Sequence, residues 1–450
     1  MSSPDEMLEN RLREISRPVD IYHYSRPKIQ KVANNLRERT DYKSHYLPKI
    51  VSMGPIHHGI PELQIGEHYK FIWAKHYIES TGLSSKDLYQ TIADNFAELK
   101  DDYADNVFTM ARNTDPKSFG SFDEKLAWML FVDGCSLLYI LDTDNHFDNK
   151  ETIMKLVSRD VLLLENQLPF KVLRLLSGDR FNLIERVQQF LEFNHIAKIG
   201  DQAECPSDIE TTHLLDLLRQ TLFLWSLRQI RIVRAAYLFM MAGSGNSLVT
   251  DLAHNSERPK NSIISNSVIR YMNIQELKSN GIKIKSSKSS RIDMSFSHRW
   301  LNGELKLPEI VLDDITVSIF LNLIAYEMSP DFNNDYGFST FLVFINSLIR
   351  QPEDVKDLRL AGILFSNYGT DEELIKLFHY ITTDAVSNAK PYSDLFEKIN
   401  KHMTNKWKTK TVRFLRYIRH PWTNFAVHSA ELALAFTVIQ TWFAVHPAKS

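Results

Sequence analysis

The segment from Arg159 to Leu176, RDVLLLENQLPFKVLRLL, constrains the fold of this 450-residue chain more than any other. Two apolar runs flank three consecutive polar residues, Glu165, Asn166 and Gln167. Three successive positions cover roughly 200° of a helix, so they cannot all reach water if both flanks are buried. Because an unpaired buried polar group costs about 1–3 kcal/mol, these side chains need partners. The pattern therefore predicts a buried structural hub.

Asp160 and Pro169 predict the path of the chain through this segment. The carboxylate of Asp160 is suited to cap the start of a helix by accepting hydrogen bonds from free backbone N–H groups. Pro169 has no N–H and stops or kinks a helix. We therefore expect helix, break and helix.

The overall composition excludes some classes of protein. A hydrophobic fraction of 44% and a charged fraction of 24% are typical of a globular protein with a large core. A net charge of −2 argues against a general nucleic-acid-binding protein. Cys135 and Cys205 are too few for a disulfide framework or a cysteine zinc site. The polar residues 1–17 predict a flexible arm and contain no apolar core of a signal peptide.

The N-terminal third contains a pair of adjacent histidines, His57 and His58, in the Gly- and Pro-rich stretch 54–59. Adjacent residues point in different directions on a helix or a strand, so a shared metal would need a loop to bring them together. We interpret the pair as part of a structural turn, with metal binding and acid–base chemistry as alternatives. Ile50–Met53 is a candidate strand just before it.

The middle of the chain is predicted to be a helical core. Phe122–Leu141 is strongly apolar, and its charged residues favour a buried helix, broken at Gly134, over a membrane span. Asp133 lies inside this run and is expected to be a paired buried carboxylate, with a functional carboxylate as the alternative. Further helices are predicted at Glu62–Ser80, near Asp87–Tyr103, at Asn182–Asn194 and from His213 to Leu218.

The C-terminal third begins with alternating apolar and polar residues around Glu276–Ile310, which predict a small β element. Asn302-Gly303 predicts a tight hairpin turn, because both residues tolerate positive φ. Asp371 is a predicted N-cap. Helices are expected at Thr316–Met328, Phe338–Ile349, Asp354–Gly362 and Asp371–Ile381.

The tail combines a basic run, Lys398–Arg419, with the apolar stretch Pro421–His446. This order is typical of a single-pass anchor with the body in the cytoplasm. Glu431, near the centre of the stretch, costs about 2.5–3.5 kcal/mol in a bilayer, which offsets most of the gain from the apolar residues. A helix packed on the body or lying in the membrane interface is the alternative. A Glu431 bonded to a partner helix would indicate a homo-oligomer.

Several motifs occur in one order along the chain: IVSMGPIHHG, WMLFVDGCSLL, RDVLLLENQLPF, HLLDLLR and NLIAYEM. With them the chain, from about Ile21 to its C-terminus, resembles the plant "domain of unknown function 247" family, also described as UPF0481-like. The resemblance implies a plant protein, largely helical, with one C-terminal membrane anchor. Some members of the family are implicated as recognition determinants in grass self-incompatibility. The resemblance carries no catalytic residues with it.

The predicted architecture is mainly α, a multi-helix globular body with a small β element and a C-terminal hydrophobic helix. The body spans 18–397, with a helical core at about 60–240, an exposed loop at 243–266, and the β element and second helical group at 276–390. Residues 398–420 form a basic juxtamembrane segment, and 421–446 a candidate transmembrane helix.

We expect a membrane-associated plant recognition or signalling protein without enzymatic activity, of the kind that takes part in pollen–pistil recognition. No catalytic, cofactor-binding or metal-binding residue is assigned. A protein partner is expected at the Gly243–Asn266 loop and its neighbouring surface, and nucleic acid is not. A soluble cytoplasmic adaptor is one alternative. A hydrolase-like enzyme is another, although no known catalytic motif is present. Its candidate residues are Asp133, His57, His58, Glu165 and His213.

Overall fold

The structure is a computed structural model. It describes residues 27–39, 43–108, 119–142, 151–178, 182–194, 196, 211–222, 272–287, 292, 294–298, 302–332, 334–404 and 421–445. The predicted N-terminal arm, Cys205 and the Gly243–Asn266 loop lie outside these residues, as does 405–420 of the basic segment.

Helices dominate the described chain, so the predicted mainly α class is confirmed. In chain order they are α1 (Asn34–Arg37), α2 (Lys43–Tyr46), α3 (Gln64–Thr81), α4 (Ser85–Asp94), α5 (Phe96–Asp101), α6 (Phe122–Leu141), α7 (Glu151–Asp160), α8 (Phe170–Ser177), α9 (Leu183–Phe193), α10 (214–222), α11 (Ile274–Ser279), α12 (Asp314–Glu327), α13 (Gly337–Leu348), α14 (Pro352–Leu360), α15 (Asp371–Thr382), α16 (Ser393–Thr404) and α17 (Pro421–Val445).

The long helix α6 is buried along most of its length and packs against α3, α4 and α8. The predicted break at Gly134 is wrong, since α6 continues through it. A Cβ atom at this position would lie 2.5 Å from Leu176 Cδ1 and 2.7 Å from Val172 Cγ1. The glycine therefore allows α8 to approach α6 closely, which is a requirement of packing rather than of backbone bending.

A second helical group surrounds α12. This helix contacts α13 and α15 and also the earlier helices α2 and α7. Asp313 caps its start by accepting hydrogen bonds from the N–H groups of Ile315 and Thr316. Buried apolar residues from Ile29 to Ile399 form one cluster, so α12 joins the two helical groups through a shared core.

Two small sheets confirm the predicted β element. Strands β1 (Ile282–Ser286), β2 (Ser295–His298) and β3 (Gly303–Leu307) form one sheet, with β3 in the centre, parallel to β1 and antiparallel to β2. Strand β4 (Ile310–Leu312) pairs in parallel with β5 (Leu364–Ser366).

The predicted Asn302-Gly303 turn is wrong, because Gly303 is the first residue of β3 and is paired with His298. A Cβ at Gly303 would lie 2.8 Å from the ring of Phe296, so this glycine makes room for a side chain across the sheet.

Three local predictions need correction. Ile50–Met53 is not a strand but an irregular segment bound by side chains of other elements. The helix expected near Asp87–Tyr103 is divided at Asn95 into α4 and α5. The N-cap of α15 is Thr370, which exchanges hydrogen bonds with Glu373 in a capping box, and Asp371 is the first helical residue.

The helix α17 forms as predicted, and all its described side chains from His428 to Trp442 are exposed. Among the helices that the structure describes, none has both the length and the apolar content needed to cross a bilayer. The predicted single-pass anchor is therefore not supported. The physical reason is that Glu431, Gln440 and His428 interrupt the apolar run.

Candidate functional site

The predicted hub is the best-defined polar site of the molecule. We define the hub as residues 159–167, the end of α7 and the turns that follow it. Glu165, Asn166 and Gln167 are all buried, which confirms the prediction from their spacing. The helix predicted between Asp160 and Pro169 is wrong, because α7 ends at Asp160, only turns and bends follow it, and α8 begins at Phe170.

The amide side chains of the hub bind backbone groups of distant segments. Asn166 accepts a hydrogen bond from Met53 N at 2.7 Å and donates one to Val51 O at 3.0 Å. Its amide therefore satisfies backbone groups of Val51 and Met53 without a neighbouring strand. Gln167 accepts from Leu215 N at 3.0 Å and so binds the start of α10.

Asp160 does not cap a helix but binds the backbone of a distant segment. It is the last residue of α7, and its Oδ2 accepts hydrogen bonds from the backbone N–H groups of Lys49, Ile50 and Val51 at 2.9, 2.6 and 3.1 Å. The predicted N-cap role is therefore wrong. Its Oδ1 lies 2.8 Å from Nη1 of Arg159.

The buried guanidinium of Arg159 is bound by several acceptors. It donates hydrogen bonds to Ser318 Oγ in α12 and to the carbonyl oxygens of Leu47 and Ser44. Burial lowers the pKa of Arg159, and Asp160 opposes that effect. A buried arginine with this set of acceptors joins α7, α12 and the segment after α2.

A second buried ion pair lies beside the hub. Lys70 Nζ of α3 lies 2.7 Å from Asp133 Oδ1 and 2.9 Å from Glu67 Oε1, and donates to Ser52 O at 3.0 Å. Asp133 also accepts from Gly54 N at 2.8 Å. The prediction that Asp133 is a paired buried carboxylate is confirmed. Burial alone would lower the pKa of Lys70, but Asp133 and Glu67 raise it above its ordinary value.

The segment between these two clusters requires a glycine at position 54. Its φ is +70°, and a Cβ there would lie 2.9 Å from Gln167 O. A larger residue would meet the hub backbone as well as adopt a strained conformation.

Comparison with known proteins identifies the family of this chain. The model of the family described as "DUF247: Plant protein of unknown function" matches residues 29–436. The chain belongs to this plant family. It is 25% identical to the UPF0481 protein At3g47200 of Arabidopsis thaliana over 421 residues, covering 89% of this chain and 83% of the relative.

A second Arabidopsis thaliana relative of the DUF247 chain, the UPF0481 protein At3g02645, is 24% identical over 472 residues, covering 88% and 86% of the two chains. No solved structure matches the chain.

The structure brings together some of the candidate residues of the hydrolase alternative. His57 Nε2 lies 3.2 Å from Glu165 Oε2, and Glu165 Oε1 also accepts from Val32 N at 2.9 Å and lies 3.3 Å from Arg37 Nη1. His58 Nδ1 lies 3.7 Å from Glu67 Oε2, and burial lowers the pKa of His58. His57 and Glu165 have the elements of an acid–base pair, but both are buried.

His213 lies at the edge of the hub, outside both of these pairs. Its Nδ1 accepts from Asp216 N at 3.1 Å, so it caps the start of α10, and burial lowers its pKa to about 4. A cavity of about 830 Å³ lies between α10, α12 and α13, and none of Asp133, His57, His58, Glu165 and His213 lines it.

The described residues include neither a cluster of metal ligands nor a reactive thiol. Within those ranges, no three His, Cys, Asp or Glu side chains meet as a set of metal ligands. Cys135 is buried in α6, and burial raises the pKa of its thiol to about 12. A thiol with that pKa is a poor nucleophile near neutral pH.

Sequence reasoning missed Lys70, although α3 carries a signal for it. The buried face of α3 comprises Gly66, Lys70, Trp73, Ala74 and Tyr77, so the lysine occupies a position in the apolar stripe. A charged residue in such a stripe predicts a buried partner. No local sequence pattern indicates the partners of Arg159 and Asp160.

Proposed function

We propose that this DUF247 protein is a membrane-associated recognition protein without enzymatic activity. The observation that carries the proposal is the exposure of a long apolar helix, α17, immediately after a basic segment.

The apolar side chains of α17 are exposed in series. Leu432, Leu434 and Phe436 have 60%, 67% and 62% of their surface accessible. At about 100° per residue, Leu432 and Leu434 point roughly 160° apart, so no single face of the body can cover both. Exposed apolar surface of this extent is typical of a membrane or protein interaction site.

The sequence before α17 favours a membrane over a protein surface. Residues 405–419 contain six basic residues and no acidic one. Each can contribute about 1 kcal/mol beside an anionic leaflet, which is the cytoplasmic one. Charge attraction and burial of apolar side chains then act on the same surface.

His428 and Glu431 favour a shallow position of α17. His428 Nδ1 lies 3.2 Å from Glu431 Oε2. A charge at the bilayer centre costs about 2.5–3.5 kcal/mol, whereas a pair at the headgroup level keeps its contact with water. We therefore propose that α17 binds the membrane without spanning it.

The burial of the hub supports the non-enzymatic part of the proposal. Asp160 and Asp133 accept hydrogen bonds from backbone N–H groups and contact the buried cations Arg159 and Lys70, and Glu165 accepts a hydrogen bond from Val32 N. Groups used in this way fix the fold and have no site open to a substrate. The narrower role in pollen–pistil recognition is supported by the family resemblance alone.

Flotation with lipid vesicles tests the proposal. We expect the full-length protein to float with vesicles containing anionic phosphatidylserine, and less with neutral phosphatidylcholine vesicles. Leu434→Glu should reduce flotation at least about 10-fold, since it places a charge in the apolar helix. The matched control is Leu360→Glu, because Leu360 in α14 is 86% exposed and lies outside the tail.

Equal flotation of the Leu434→Glu and Leu360→Glu proteins would refute membrane binding through α17. Carbonate extraction of plant membranes then separates the depths of insertion. Release of the protein into the supernatant agrees with interfacial binding, whereas retention in the pellet contradicts it.

A further inference from the structure

Helix α3 exposes three large apolar side chains on the surface of the body. Ile65, Phe71 and Ile72 have 72%, 55% and 37% of their surface accessible, and we define them as the α3 patch. Ile65 and Ile72 are seven residues apart, so they lie about 10.5 Å apart along one face of the helix, with Phe71 at its edge. We propose that the α3 patch binds the N-terminal arm, residues 1–17, of the same chain.

The first residues of the arm carry a signal for the start of a helix. Ser3 and Glu6 have the spacing of a capping box, and Pro4 stands at the first helical position, where no intrahelical bond needs its N–H. Asp5 and Glu6 also place negative charge in the first turn, where the helix dipole favours it. The sequence therefore predicts a helix from Pro4 when the arm has a surface to pack on.

An apolar stripe follows this start signal. Leu8, Leu12 and Ile15 are spaced by four and three residues, which places them on one face of a helix. Leu8 and Ile15 are seven residues apart, as Ile65 and Ile72 are in the α3 patch. Side chains with the same spacing can interdigitate when two helices lie side by side. The stripe of the arm therefore matches the patch in both chemistry and length.

The arm needs the body to become a stable helix. A helix over residues 4–15 has about 12 residues, a length at which isolated helices are only marginally stable in water. Most helical stability in proteins comes from packing of the apolar face. We therefore expect the isolated arm to be flexible, as its polar composition predicts, and to become helical when it covers the α3 patch.

The chain leaves the body close to α3. Near the start of the described chain, Ile29 pairs with Tyr103 in an isolated β-bridge. A Cβ at Gly54 would lie 3.0 Å from the hydroxyl of Tyr103. The carbonyl oxygen of Ser52, two residues before this glycine, accepts a hydrogen bond from Lys70 of α3 at 3.0 Å. Only a few contacts therefore separate the root of the arm from the helix that carries the patch.

The tether favours the arm of the same chain over that of a second copy. Residues 16–26 connect the stripe to the described chain and can span up to about 36 Å when extended. A short flexible tether gives an effective concentration in the millimolar range, far above that of a dilute protein. Docking within one chain therefore occurs before association between chains.

Photo-crosslinking of the full-length protein tests the proposal. Phe71→benzoylphenylalanine keeps an aromatic side chain in the α3 patch and should form crosslinks to residues 4–15, identified by mass spectrometry. The matched control is Leu360→benzoylphenylalanine, because Leu360 is 86% exposed but lies in α14. The control should form no crosslink to the arm.

Mixing isotopically labelled and unlabelled protein identifies the chain that supplies the arm. Crosslinked peptide pairs in which both members have the same labelling support docking within one chain. Pairs that combine a labelled with an unlabelled peptide would overturn the proposal in favour of a second copy. Crosslinks to α17 instead of the arm, or no crosslink to the arm, would overturn it as well.

Hydrogen exchange measures whether the patch orders the arm. In the full-length protein, the amides of residues 4–15 should exchange at least about 10-fold more slowly than in a peptide of residues 1–17. Ile65→Glu combined with Phe71→Glu should remove this protection, whereas Leu360→Glu should retain it. Both patch residues are more than half exposed, so the unfolding midpoint should be unchanged. Equal protection in the patch variant and the control would overturn the proposal.

Discussion

The hub and α17 distribute polar and apolar residues in opposite ways. The hub places Arg159, Asp160 and Glu165 at the centre of the body, where they are almost inaccessible to water. The helix α17 places Leu434 and Phe436 at the surface, where more than half of each side chain is accessible. Polar groups are tolerated inside because the chain supplies their partners. Apolar groups exposed in series indicate a partner that the chain does not supply.

This difference predicts different consequences of mutation. A buried ion pair stabilises a fold only modestly, yet removing one partner is costly because the other stays buried and uncompensated. Truncation of an exposed apolar side chain changes the free energy of unfolding little. Substitutions in the hub should therefore affect folding, and substitutions in α17 should affect association alone.

Asp160→Ala is expected to have the largest effect. It leaves Arg159 without its carboxylate and the N–H groups of Lys49, Ile50 and Val51 without their acceptor. We expect a loss of about 3–5 kcal/mol in the free energy of unfolding, measured by urea denaturation.

The matched control is Asp101→Ala. Asp101 pairs with Lys28 at 3.0 Å, but its side chain is 83% exposed, so a loss of at most about 1 kcal/mol is expected. Similar losses for the two substitutions would mean that the hub is not the organising element of the fold.

His213 provides a smaller, pH-dependent test at the edge of the hub, where Gln167 binds the start of α10. Its pKa is about 4 in the folded protein and about 6.5 in the unfolded chain. Below pH 6.5 the unfolded chain therefore binds more protons, so acid favours unfolding. We expect His213 to contribute a loss of about 2 kcal/mol in the free energy of unfolding between pH 7 and pH 5.

His213→Asn isolates this contribution. Asparagine keeps an acceptor for the N–H of Asp216 but does not titrate, so the variant should lose about 2 kcal/mol less than the wild type over this pH range. The pKa values of His45 and His58 are also lowered by burial, but both residues are present in the two proteins and cancel in the difference. An identical pH dependence would show that His213 accepts a proton without unfolding.

The sequence predicted features that depend on local pattern. The spacing of Glu165, Asn166 and Gln167 required buried partners, and the apolar surroundings of Asp133 required a counter-ion. It did not identify the partners, because Lys70 is 63 positions before Asp133 and the segment bound by Asp160 is about 110 positions away. Such contacts are set by the packing of α3, α6 and α7, which no local window contains.

The wrong predictions at glycines have a related cause. The predictions of a helix break at Gly134 and a turn at Gly303 assume that each glycine is needed for its backbone freedom. Neither needs that freedom, since both make room for neighbouring side chains, Leu176 in one case and Phe296 in the other. A glycine that admits a distant side chain cannot be distinguished by its sequence neighbours from one that bends the chain.

The smallest expected effect on stability is that of Phe436→Ala in α17. Because 62% of Phe436 is already accessible, we expect the free energy of unfolding to change by at most about 0.5 kcal/mol. Phe378→Ala in α15 removes the same ring from a fully buried site and should cost about 3–5 kcal/mol. Urea denaturation of the two variants measures both values. If Phe436→Ala lowers the free energy of unfolding by more than about 1 kcal/mol, α17 packs on the body in solution. The exposed apolar side chains of α17 would then not indicate an external partner.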